Sequence, residues 1–487
     1  MKEKLKELTK DTAVYGISTI LGRFLNFILV PFYTNVFATA EYGVITTVYA
    51  YIAFFNIIYI YGMDAAYMKY AFMKDERNPR TVFSTSFLFI SLTSFIFSTL
   101  IVIFGRNISS ALDIPAEDFP IMTYVSLILL FDALAIIPFN YLRLKRNARK
   151  FALIKTLNIM VNVFLNLILI LKFKMGIEAV FISNLVASML TLVALLPEFA
   201  GNLSSKINLS YLGELLKFGI PYLPAGMASM VVQVIDRPIL QRMTDESAVG
   251  IYQANYKLGI FMMLYVSMFQ YAWQPFFLSS SKDKNAKELF SKVLTYFLIV
   301  GSIILVVISL FVEDIVKIPL LHNRTLIAAA YWGGVNIIPV VLLAYLFNGM
   351  YVNFTAGIFI EGKTKYLPYI TGLGALANIV VNILLIPYMG IMGAAIATLA
   401  SYIAMAFALY FVSRRFYRVD YEYWKIFRIF IALGLVMAAY YLGFAGNIIS
   451  KTVLLILFFI LLCLLKIISL DDISSIYNML IVRRKKY

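Results

Sequence analysis

Fourteen long apolar blocks, separated by short charged or turn-rich segments, constrain this chain more than any single motif. They fall at 12–37, 42–63, 82–104, 119–141, 151–171, 176–196, 213–239, 248–276, 289–312, 327–354, 365–387, 390–412, 424–443 and 449–469. Each is near the ~20 residues that a helix needs to cross the hydrocarbon of a bilayer. Composition agrees: 62% of the residues are hydrophobic and 14% charged, against about 45–50% and 25% in soluble domains. The expected class is an all-α polytopic membrane protein of about 14 transmembrane helices. A soluble enzyme, a secreted disulfide scaffold and a disordered chain are excluded. The single cysteine, Cys463, allows no disulfide framework, and the single histidine, His322, no multi-histidine metal site.

Charge sets the orientation. The net charge of +16 could suggest nucleic-acid binding, but in a membrane chain basic loops are first a topology signal. With the N-terminus inside, cytoplasmic segments carry 32 of the 42 Lys and Arg residues and outer loops carry 7. This bias places both termini in the cytoplasm and favours an even number of spans. The charged opening MKEKLKELTKDTAV runs into an apolar block with no small-residue cleavage site, so it reads as a retained first span.

The chain also repeats itself. NLILILKFKMGIEAVFISNLVAS from Asn166 resembles NILLIPYMGIMGAAIATLASYIA from Asn382. YGISTILGRFLNFILVPFY and EYGVITTVYA in blocks one and two likewise resemble FGIPYLPAGMASMVVQVIDRPIL and AVGIYQANYK in blocks seven and eight. The offset, a little over 200 residues, corresponds to six helices, so the halves share orientation and are related by an axis along the membrane normal. The expected architecture is two six-helix bundles related by that pseudo-two-fold axis, plus a C-terminal pair. Its divisions are an N-terminal bundle at 1–196, a cytoplasmic linker at 197–212 and a second bundle at 213–412. Helices 13 and 14 follow at 413–470, then a basic tail at 471–487. Prolines recur six helices apart, Pro31 with Pro221 and Pro224, and Pro138 with Pro339. Breaks at matching places in two halves point to a transporter's central site.

Three cations lie within blocks: Arg23 in GRFLNF, Arg237 in VIDRPIL and Lys257 in YQANYKLG. A cation at the centre of a membrane helix costs roughly 2.5–3.5 kcal/mol on insertion scales. Arg23, Arg237 and Lys257 are therefore expected to line a hydrated cavity and contact a carboxylate or phosphate substrate. Arg237 adjoins Asp236, and pairing or snorkelling is an equal reading for it. Asp132 in LLFDALAI and Asp64 in YGMDAAYMKY are candidates for ion coupling, since a desolvated carboxylate takes up a proton more readily; a static role beside a cation is the alternative. Asn158, Asn162 and Asn166 form a polar stripe that Asn378 and Asn382 partly repeat. Asn158, Asn162 and Asn378 are candidate polar cavity groups, interhelical hydrogen bonding being the commoner role of such amides and the favoured one here.

Gly357 to Thr364, GIFIEGKT, matches a phosphate-loop pattern literally. That loop works between a strand and a helix, whereas here the residues leave an apolar block, so a short turn is expected. No paired carboxylates, serine triad or metal cluster can be assembled in a long loop. The chain is expected to be no enzyme, to need no cofactor or metal, and to bind no nucleic acid.

KDTAVYGISTILGRFLNFILVPFYTNVFATAEYGV at 10–44, GMDAAYMKYAF at 62–72, FGIPYLPAGMASMVVQVIDRPIL at 218–240 and VGIYQANYKLG at 249–259 resemble the bacterial oligosaccharide and polysaccharide flippases. These are the Wzx type within the multidrug/oligosaccharidyl-lipid/polysaccharide exporter superfamily. The resemblance implies a V-shaped pair of six-helix bundles working by alternating access in the bacterial cytoplasmic membrane. It implies a cargo of undecaprenyl-pyrophosphate-linked sugars moved from the inner to the outer leaflet, and polysaccharide polymerase and glycosyltransferases as partners. Arg23, Arg237 and Lys257 would then contact the pyrophosphate or acidic sugars. The chain lacks the Gly-Phe-x-Arg-Asp opening of lipid II flippases, which disfavours a peptidoglycan precursor. Its extra helix pair disfavours the drug exporters, a cation-coupled drug or metabolite exporter on the same fold being the main alternative. A non-transporting scaffold of an assembly machine is the other.

Overall fold

The computed structural model describes residues 27–72, 78–115, 118–204, 207–320 and 324–467. Arg23, His322, most of block one and the basic tail lie outside the described residues. The helices of the described residues follow the apolar blocks. The first group holds α1 (27–34), α2 (Thr39–Ile60), α3 (Met63–Phe72), α4 (Pro79–Ile103), α5 (Gly105–Ala111), α6 (Ile121–Leu144), α7 (Ala148–Leu171), α8 (Glu178–Ala194) and α9 (Leu196–Asn202). A second run follows with α10 (Leu209–Gly219), α11 (Tyr222–Val234), α12 (Asp236–Met243), α13 (Glu246–Tyr256), α14 (Ile260–Ser280), α15 (Ala286–Val316), α16 (Ile338–Ile360), α17 (Leu367–Met389) and α18 (Ile391–Phe416). The C-terminal pair is α19 (Tyr423–Tyr441) and α20 (Ile448–Leu464).

The all-helical expectation holds, and each described block coincides with helical segments. The number of crossings is a separate matter. Among the described residues nine helices are long and apolar enough to span a membrane, or eleven when the bent pairs α8–α9 and α10–α11 each count as one. Fourteen is not reached by length and composition, because several blocks are broken. Block seven becomes α10, α11 and α12, with a 41° bend at Pro221. Block eight is interrupted by a 3-10 turn at Lys257–Gly259. Block ten begins as a 3-10 segment, Ala329–Ile337, before Pro339 opens α16. Proline lacks the N–H that an α-helix needs and clashes with the preceding turn, so these bends fall where the sequence puts proline or glycine.

Helices α4, α6, α7 and α8 pack mainly on one another, as do α14 to α18; α2 joins the first set through α6 and α4 but packs most on α13, and α19 and α20 join the second set through α15. Lys451 on α20 fixes that attachment with a 2.6 Å ion pair to Asp314 on α15. The phosphate-loop lookalike is the end of α16 followed by a turn through Gly362 at φ +62°. That is a connection between helices, as expected.

The repeat is visible in hydrogen bonds. Asn166 Nδ2 donates back to the Asn162 carbonyl at 2.8 Å and to its Oδ1 at 3.1 Å. Asn382 does the same to Asn378, at 2.9 and 2.7 Å. The sets also touch at both ends of α2. At one end Gly43 and Gly250, equivalent residues of the two repeats, bring α2 and α13 so close that a Cβ on Gly250 would lie 2.0 Å from the Thr39 carbonyl oxygen. At the other, Gly62 meets Gly219, and a Cβ on Gly62 would lie 2.2 Å from that residue's oxygen.

Candidate substrate chamber

Two chambers share a wall: the first is lined from both runs of helices and the second from the second run alone. The first, about 390 Å³, is lined by Tyr33, Tyr42 and Tyr49 from α1 and α2, by Asn158 and Asn162 from α7, and by Asn184 from α8. The second, about 510 Å³, is lined by Gln233 on α11, Tyr256 on α13, Gln270 on α14, Tyr345, Asn348 and Tyr351 on α16, and Tyr402 on α18. Arg237 and Lys257 line both chambers, together with Val234. Two of the three sequence-predicted cations therefore meet at the junction.

Local structure explains their placement. Arg237 sits in the first turn of α12, just after the α11–α12 break at Ile235. Lys257 opens the 3-10 turn that interrupts block eight. The two breaks bring both side chains to the shared wall of the chambers. Arg237 is 6% exposed and is held on all sides. Its guanidinium forms a 3.1 Å ion pair with Asp236, donates to Gln253 Oε1 at 3.0 Å and to the Gln233 carbonyl, and lies 5.1 Å from the centre of the Tyr256 ring. Asp236 in turn accepts from the Tyr252 hydroxyl. Pairing and cavity lining, the two readings of Arg237, both apply. The Arg237 charge is balanced by Asp236, and the half-buried Lys257 brings a second cation to the junction. Among the described residues no Asp or Glu lines either chamber.

The other candidates divide. Asn158 and Asn162 line the first chamber, with Asn158 also donating to Thr191 Oγ1 at 2.9 Å. Asn378 differs from its expectation as a cavity group: it is fully buried against Asn382 and lines neither chamber, because its face of α17 packs into the second set. Asp132 on α6 accepts from Ser188 at 2.7 Å, and Asp64 lies in the first turn of α3 near the Gly62 contact; neither lines a chamber. Gln233 and Gln253 are junction residues that the sequence reading missed. Each lies four residues before a cation, hence on the same helical face, and that spacing could have found them. Among the described residues no group of three His, Cys, Asp or Glu side chains could hold a metal ion.

The model of the polysaccharide biosynthesis protein family matches residues 8–281. The chain belongs to that family. No curated protein matches its sequence. In fold, this family member is similar to the lipid II flippase MurJ in an inward closed conformation (16% identity, TM-score 0.76, 96% of this chain and 100% of that one). It is similar to a multidrug resistance MATE family transporter of the MOP superfamily in an inward-facing conformation (12% identity, TM-score 0.65, 81% and 94% of the chains). It also resembles the MATE transporter VcmN of Vibrio cholerae, solved as a D35N mutant (15% identity, TM-score 0.58, 85% and 98%). The family member is a multi-pass membrane protein with the fold of these transporters and flippases, which are not enzymes.

Proposed function

We propose that the protein is a lipid-linked oligosaccharide flippase, moving undecaprenyl-pyrophosphate-linked sugar repeat units from the inner to the outer leaflet for surface polysaccharide synthesis. One observation carries the reading: two polar chambers share Arg237 and Lys257, and among the described residues neither is lined by a carboxylate. Such a wall attracts a pyrophosphate through charge-assisted hydrogen bonds. It repels the cationic drugs that an acidic lining would gather, so the chamber chemistry favours flipping over drug export. The polyprenyl tail stays in lipid while the sugar head takes the wet path. Outward movement of a negative charge gains about 2.3 kcal/mol per 100 mV of inside-negative potential, which can drive transport without nucleotide.

In this reading the expected bodies 1–196 and 213–412 rock about the chambers, with 197–212 as linker and 413–470 travelling with the second body. The packing of α10 on α3 and α4 and the 41° bend at Pro221 support a hinge within block seven. Arg23, outside the described residues, is expected from the sequence to contact the same pyrophosphate. Asp132, inside α6 against Ser188, suits proton exchange better than Asp64. The setting is a bacterial cytoplasmic membrane with both termini inside, and polymerase and glycosyltransferases as neighbours.

The test is movement of fluorescent undecaprenyl-pyrophosphate glycolipid in reconstituted vesicles with imposed potential. Potential-dependent flipping that Lys257→Ala abolishes is expected. Movement that ignores Lys257, or export of cationic drugs in its place, would overturn the assignment.

A further inference from the structure

The second chamber differs from the first in what its amides do. In the first, Asn158 donates to Thr191, Asn162 accepts from Asn166, and Asn184 donates to Tyr49 at 3.2 Å. In the second, Gln270 and Asn348 line the wall, and no hydrogen bond to the protein is found for either among the described residues. An amide carries two donors and a two-lone-pair acceptor, so this pair presents unused valence to the chamber.

Around those amides stand Tyr256, Tyr345, Tyr351 and Tyr402. The Tyr345 hydroxyl donates to that of Tyr256 at 3.3 Å, and the Tyr256 ring packs edge-on to Tyr345 at 6.1 Å between centres. Tyrosine gives a flat apolar face with a polar tip. A polyol ring offers the complement, with C–H faces for the aromatic planes and hydroxyls that both donate and accept. A polyprenyl tail would leave the Gln270 and Asn348 amides unpaired. The volume of about 510 Å³ lies within the ~300–1,000 Å³ usual for small-molecule sites.

We propose that the second chamber is the sugar subsite, in which Gln270 and Asn348 hydrogen-bond the hydroxyls of the first sugars and the tyrosines form their stacking walls. This rests on the flippase reading and adds a polarity to it: the phosphates sit at Arg237 and Lys257, and the glycan extends into the second set of helices. The first chamber, with its amides already engaged, gives room for movement and little selection. Discrimination among glycans resides in Gln270 and Asn348.

The experiment uses the full chain in micelles and native mass spectrometry with two probes. One is undecaprenyl pyrophosphate without sugar; the other is the undecaprenyl-pyrophosphate glycolipid pool extracted from the source cells. Wild type should bind both, the glycolipid about ten-fold tighter, as a few hydrogen bonds to the sugar would give. Gln270→Ala/Asn348→Ala should lose that preference and keep its affinity for the bare pyrophosphate. Lys257→Ala should weaken both probes together. Three results overturn the subsite: no glycolipid preference in wild type, a preference that survives the double substitution, or equal weakening of both probes by it. Failure of wild type to bind either probe would instead overturn the flippase reading itself.

Discussion

Removing the Arg237 guanidinium gives the sharpest test of the junction. In Arg237→Met the aliphatic stem is kept, but Asp236, 2% exposed, loses its cation. Breaking a buried ion pair from one side costs about 3–5 kcal/mol, because a charge remains without its partner. The Tyr252 hydroxyl still donates to Asp236, which places the expected loss near the lower end, about 3 kcal/mol. Gln253 Oε1 and the Gln233 carbonyl also lose their donor. The double variant Asp236→Asn/Arg237→Met removes the stranded charge and should recover at least half of the loss. Reversible chemical unfolding in mixed micelles reads both values, and vesicle flipping should remain abolished in both variants. A single variant as stable as wild type would show that the junction is open to bulk water and that the buried-pair reasoning is wrong. Restored flipping in the double variant would show that Arg237 touches no cargo.

Three further outcomes follow from particular contacts. Lys257→Ala should reduce flipping more than ten-fold at unchanged membrane abundance, since it removes an ammonium group that lines both chambers; a drop in abundance that accounts for the lost flux would refute this. Gly250→Ala should push α13 off α2, so a cysteine placed at Ser247, which bonds Thr39 at 3.1 Å, should react faster with an impermeant thiol reagent, and an unchanged rate would mean the contact yields elsewhere. Asp314→Asn should destabilise the chain by about 1–3 kcal/mol, less than the full cost of a buried pair because the Asp314 side chain is 43% exposed; thermal unfolding that matches wild type would show Lys451 finding another partner.

Periodicity made the membrane class, the helical blocks and the internal repeat legible, because each depends on residues close in sequence. Arg237 and Lys257 were legible for a related reason: a cation within an apolar block must be sheltered from lipid, whatever the rest of the fold. The breaks in blocks seven, eight and ten were only half visible. Pro221 and Pro339 announce theirs, but the 3-10 turn at Lys257–Gly259 depends on close packing, a Cβ on Gly259 being only 2.7 Å from Val341. Asn378 was misplaced since the spacing of a polar stripe does not reveal which face of a helix meets its neighbours. Gln270 and Asn348 carry no local signal, and only the convergence of α14 and α16 brings them to one wall.

The buried cluster of Asp236, Arg237, Tyr252 and Gln253 lies wholly on α12 and α13. Two neighbouring helices therefore carry these charges as a sealed package, and swinging one half of the molecule against the other need not pull its opposite charges apart. What has to separate at the Gly43 end is a seam of bare backbone, neutral hydrogen bonds and the solvent-facing Arg242–Asp113 pair at 3.5 Å. An exposed pair of that kind is worth about 0–1 kcal/mol and is screened by salt. The opening step should thus be low in electrostatic cost and nearly indifferent to ionic strength, so any salt dependence of flux would report capture of the cargo and not the motion that delivers it.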